Sequence, residues 1–134
     1  MILATFQDLL DASREQPQPQ RLLFTFTKIE VPETVTEEQR AAVEAGEGGN
    51  LAPILCVDKS PDEVESFTAL VAESQGTGKA WDIVFVASLS GHAGVAPSSD
   101  EAAQPLRFML EAIKYGRVAE FAAFDRNGNV LQFY

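Results

Sequence analysis

Ser88-Leu89-Ser90-Gly91-His92-Ala93-Gly94 is the one stretch where hydroxyls, glycines and the chain's single histidine stand together. Hydroxyl oxygens can attack or hydrogen-bond, an imidazole exchanges protons near neutrality, and glycines leave backbone amides open to a small anion ahead of a helix N-terminus. Asp58 and Lys59 follow a second apolar stretch, LAPILCV. They would add a carboxylate and an ammonium if both stretches are parallel strands ending at one rim, where open α/β sheets bind ligands. The candidate ligand-binding set is therefore Asp58, Lys59, Ser88, Ser90, Gly91 and His92, with no catalytic residue assigned. Converging, these groups would suit a small hydrolase or transferase using His92 as the base for a serine or cysteine nucleophile. Left apart, they amount to a solvated glycine turn and a surface ion pair.

What must position them is the run Ile83-Val84-Phe85-Val86-Ala87, apolar without a break. Both faces of such a strand should be covered, which is how a central strand of a mostly parallel sheet reads. Before it, Ile2, Leu3, Phe6, Leu9, Leu10 and Ser13 recur at helical spacing and predict a helix over about 3–15, stopped by Pro17 and Pro19. RLLFTFTKIEV predicts a strand with Leu22, Phe24 and Phe26 on one face and Leu23, Thr25 and Thr27 on the other. Thr36 and Gln39 open a short helix to about Ala45, and Leu51–Val57 is a strand in which Pro53 is tolerable only near its start or on an edge. Ser60, Pro61 and Glu63 read as a helix start, with Val64, Phe67, Leu70, Val71 and Ser74 turned inward. After the glycine-rich loop, Ser98 and Glu101 cap a helix with the stripe Ala102, Leu106, Met109, Leu110 and Ile113. Asn127-Gly128 between apolar runs predicts a tight primed hairpin with positive φ at both residues.

These elements predict one α/β domain over 1–134. Its sheet is mixed and mostly parallel, about five strands with a C-terminal antiparallel hairpin, accompanied by about four helices; a two-layer α+β arrangement is the alternative. The last strand, Val130 to Tyr134, is aromatic and at an edge, so a homodimer could pair through it.

Other patterns fail on context. Gly76-Thr77-Gly78-Lys79 resembles the tail of a phosphate-binding loop, but a helix precedes it, a strand follows, and Ala80 stands where a hydroxyl is needed. Asp125, Asn127 and Asn129 imitate the start of a calcium loop, yet Val130 replaces the required glycine. Gly91 and Gly94 do not fit a dinucleotide fingerprint, and no G-x-S-x-G elbow exists. Cys56, alone in an apolar strand, reads as an inert core residue.

Composition narrows the classes further. A chain of 134 residues fits one core, and 46% hydrophobic residues with nine Phe argue for an ordered globular fold. Twenty acidic against ten basic residues give a net charge of -10, which repels phosphate backbones and anionic headgroups, so neither nucleic acid nor membrane is an expected partner. One cysteine allows no intrachain disulfide and no Cys/His cluster exists for zinc, so no cofactor or metal is expected. The opening MILATFQDLLDASREQ lacks a basic region before its apolar residues, which reads as no signal peptide and makes a reducing cytoplasm the default location.

At CVDKSPDEVESFTALVAES, WDIVFVASLSG, APSSDEA and FDRNGN the chain resembles, over nearly its whole length, a family of short, uncharacterised proteobacterial proteins often labelled "ribonucleotide reductase subunit alpha". The resemblance implies a bacterial origin and a shared small domain, with no active site to transfer. The label conflicts with chemistry: that reaction needs a redox cysteine pair plus a thiyl-forming third, and Cys56 stands alone. The leading expectation is a non-catalytic, acidic domain that binds a protein partner or small ligand. The loop enzyme is the alternative, and a subunit of a larger assembly, marked by an exposed apolar patch, is a third.

Overall fold

A computed structural model describes residues 5–30 and 50–131. The expected helix from Thr36 to Ala45 and the last three residues of the expected terminal strand lie outside them. In chain order the described elements are α1 (Phe6–Arg14), β1 (Gln20–Glu30), β2 (Asn50–Lys59), a single 3-10 turn (Pro61–Glu63), α2 (Phe67–Gln75), β3 (Ile83–Ser90), α3 (Ser99–Lys114), β4 (Ala122–Phe124) and β5 (Val130–Leu131). The strands form one sheet in the order β2-β1-β3-β4-β5, and every neighbouring pair is antiparallel.

This overturns the mostly parallel sheet with four helices. The described residues hold three α-helices, and the arrangement is α+β in character, with helices on both faces. The reason lies between β2 and β3. They run in the same direction and are joined through α2, as in a βαβ crossover, but β1 occupies the slot between them and pairs antiparallel with both. The apolar run of β3 correctly signals two covered faces: Ile83, Val84, Phe85 and Val86 are all buried. Helices on both sides of an antiparallel sheet produce the same pattern as a parallel one.

Strand alternation sorts the core into two halves. Leu22, Phe24, Phe26, Val84, Val86 and Phe124 pack under α1 and α2, with Phe6 at their centre, 5.3 Å from Phe124 and 5.0 Å from Phe67 between ring centroids. Leu23, Ile83, Phe85 and Ala123 face α3 through Ala102, Met109 and Ile113. Burying one such side chain contributes about 1.5–3 kcal/mol, so the sheet is held from both sides.

Local chemistry explains the boundaries. Thr5 caps α1 in a reciprocal box with Asp8. Ser60 and Glu63 form the box expected of a helix start, but it closes only the 3-10 turn. Val64 is then extended (φ -104, ψ 100) and buried, so the chain leaves helical geometry and restarts where Ser66 caps Ala69 N–H. Pro53 sits on edge strand β2 beside a register shift between Phe26 and Thr27, where its missing N–H costs no ladder bond on the open side. Between β4 and β5, Gly128 alone takes positive φ (83°), while Asp125 accepts the backbone N–H groups of Asn127 and Asn129. The turn is therefore a longer loop with one left-handed residue, rather than a two-residue primed turn.

Candidate functional site

Register decides which candidate residues can meet. Leu22 pairs with Lys59 on one side and Ser88 on the other, so Lys59 and Ser88 share a row and a face but stand two strand spacings apart, about 9.6 Å. Asp58 pairs with Leu23 and so points to the opposite face, toward α3. The rim therefore carries two separate polar clusters, one per face.

On the α3 face, Arg21 and Asp58 form a close pair (Nε to Oδ2 2.6 Å), each side chain 16% exposed. Burial pushes the Asp58 carboxyl up. Hydrogen bonds from the Ser99 hydroxyl and Arg21, with the guanidinium charge, outweigh it and hold Asp58 below the usual aspartate value. Ser99 is the first residue of α3, so this carboxylate also sits at a helix N-terminus, where negative charge is favoured. The cluster ties β1, β2 and α3 together and is saturated.

On the α1 face, the pivot is Gln20, only 8% exposed. Its Oε1 accepts from the Ser88 hydroxyl at 2.6 Å, and its Nε2 donates to the Gln18 carbonyl (2.9 Å) and to Ser90 Oγ (3.1 Å). Ser88 and Ser90 are thus brought together through an amide that sequence reasoning passed over. A signal existed: Gln20 has the strand parity of Leu22, Phe24 and Phe26, so its amide had to be buried and paired. Lys59, on this face too, is committed to Glu73 of α2 at 3.0 Å.

The loop beyond β3 is pinned rather than poised. Gly91 N–H donates to the Pro19 carbonyl at 2.8 Å and Gly94 N–H to Gln18 Oε1 at 2.8 Å. Gly91 is needed for space: a Cβ there would collide with the Val95 carbonyl oxygen and lie 2.9 Å from that of Pro19. His92 and Val95 exchange backbone hydrogen bonds (3.1 and 2.9 Å) around a tight turn with Ala93 and Gly94 at positive φ. The His92 side chain is exposed and makes no hydrogen bond to a serine, aspartate or cysteine among the described residues. Cys56 is also exposed, on edge strand β2, so it is not the core residue expected from its apolar context. The physical reason is the edge position, which leaves one flank of β2 uncovered.

A groove of about 600 Å³ opens beside the Gln20 cluster. The C-terminal half of α1 and the residues just after it supply one wall through Leu9, Ala12, Ser13 and Gln16; Leu22, Val86 and Ser88 form the floor; and Glu120, Phe121 and Ala122 form the far side. Among the described residues no group of three or more His, Cys, Asp or Glu could hold a metal ion, and no helix is long and apolar enough to cross a membrane. No protein-family model, curated protein or solved structure matches the chain.

Proposed function

We propose that this chain is a non-catalytic, acidic binding domain of the cytoplasm, and that the groove between α1 and the rim of β1 and β3 receives its ligand. The observation that carries the reading is the Gln20 network: a buried amide with its hydrogen-bonding groups engaged fixes Ser88 at the groove floor in advance of any ligand. Its volume falls in the range of small-molecule sites, about 300–1,000 Å³. The hydrolase alternative asks His92 to act as a base on a serine or cysteine, and among the described residues that imidazole makes no hydrogen bond to either.

A protein partner has its own support. Phe108 on α3 and Tyr115, the residue that caps its C-terminus, are 62% and 76% exposed. Chemical-shift mapping of the intact chain against a small-molecule fragment set tests the reading. Perturbations should cluster at Leu22, Val86, Ser88 and Ala122. Shifts confined to 91–95, accompanied by turnover of an activated ester that His92→Ala abolishes, would replace it with the enzyme.

A further inference from the structure

Resting on the groove as the binding site, we propose that its ligand is a small molecule with an apolar body and a primary ammonium group. The hydrogen-bonding state of the lining residues points to this. The Ser13 hydroxyl donates to the Leu10 carbonyl at 2.7 Å, and the Ser88 hydroxyl donates to Gln20. Both amide protons of Gln20 are spent on Gln18 and Ser90, and Gln16 Nε2 donates to the Ala12 carbonyl at 3.1 Å. A hydroxyl that has given its proton to a protein acceptor keeps its lone pairs. What Ser13 and Ser88 offer a ligand is therefore acceptance.

Charge points the same way. Among the described residues lining the groove, Glu120 is the one acidic residue and none is Lys, Arg or His; the chain as a whole carries -10. Glu120 is exposed and makes no ion pair among the described residues, so its carboxylate is available. An ammonium brings three donors and a positive charge to this acceptor set. A carboxylate ligand would meet Glu120 as a like charge and find few protons to accept. Leu9, Leu22, Val86 and Ala122 supply apolar contact for the rest of the molecule.

Three probes of similar apolar size separate the outcomes when titrated into the intact chain by NMR: 2-phenylethylamine, 2-phenylethanol and 3-phenylpropanoate. The amine should bind best and the carboxylate worst, with shifts at Leu22, Val86 and Ala122. Glu120→Gln should weaken the amine roughly two- to fivefold, the size expected of an exposed charge pair, and leave the alcohol unchanged. Tightest binding by the carboxylate, or amine affinity indifferent to Glu120→Gln, would overturn the ammonium assignment while leaving the groove as a site. Absence of groove shifts with all three probes at millimolar concentration would overturn the groove reading itself.

Discussion

The two polar clusters at the rim are built from adjacent residues of one strand and yet have opposite characters. Arg21 turns toward α3 and makes a charged, closed cluster with Asp58 and Ser99; Gln20 turns toward α1 and makes a neutral cluster with Ser88 and Ser90 that borders open space. Strand alternation sends neighbours to opposite faces, so the difference is set by what each face has above it. The N-terminus of α3 reaches the rim and closes on Asp58 through Ser99, whereas a groove stays open between α1 and residues 120–122. The charged pair lies on the face closed by α3, and the neutral cluster borders the groove beside α1.

The largest effect should come from the segment that holds the rim together. Gly91→Ala forces a Cβ against the Val95 and Pro19 carbonyls, both backbone atoms with little room to yield. Overpacking of this kind costs about 1–3 kcal/mol, and here the upper end is expected because the clash is with backbone. Thermal unfolding should show the loss, and groove resonances at Ser88 should shift with it. A substitution that left both stability and those resonances unchanged would mean that the loop is not pinned to the Gln18–Pro19 segment.

Next comes the sealed cluster. Asp58→Asn leaves Arg21 without its counter-charge, and the cost should be about 2 kcal/mol, below that of a fully buried pair because part of each side chain stays wet. The pH dependence follows from the sign of the shift. Asp58 is held below its ordinary value near 3.9, so its stabilisation is complete above that value and disappears as pH falls through the depressed folded value. Denaturant unfolding between about pH 5 and pH 2 should therefore show a steeper loss in the parent chain than in Asp58→Asn. Parallel curves would remove Asp58 as the source.

How much of this could be read beforehand depended on whether the signal was local. The capping pair Ser98–Glu101 and the stripe Ala102, Met109, Ile113 lie within a few turns of each other, and α3 forms where they indicate. The run Ile83–Val86 showed that β3 has two covered faces, but strand direction depends on which strand lies beside it, and β1 is more than fifty residues away in sequence. Ser60–Glu63 was legible as a cap; its failure to continue depends on Val64 finding a place in the distant core. The site divided likewise. Ser88 and Ser90 meet across Gln20, while Asp58 and Lys59, consecutive in sequence, go to opposite faces because a strand has period two. His92 stood out by residue type, and type carries no information about neighbours.

Smaller effects distinguish the open cluster from the loop beside it. Gln20→Ala removes three hydrogen bonds, but Ser88 and Ser90 are exposed and water can replace what they lose, so the cost should be near 1 kcal/mol. That is about half the Asp58→Asn cost, as expected if the α1 face of the rim is wetter than the α3 face. His92→Ala should change stability by no more than about 0.5 kcal/mol, since the histidine contributes only backbone bonds to its turn. If Gln20→Ala proved as costly as Asp58→Asn, the groove would have to be drier than its opening implies. If His92→Ala exceeded Gln20→Ala, the imidazole would have to hold a partner, and the division between a pinned loop and an open groove floor would fail at His92.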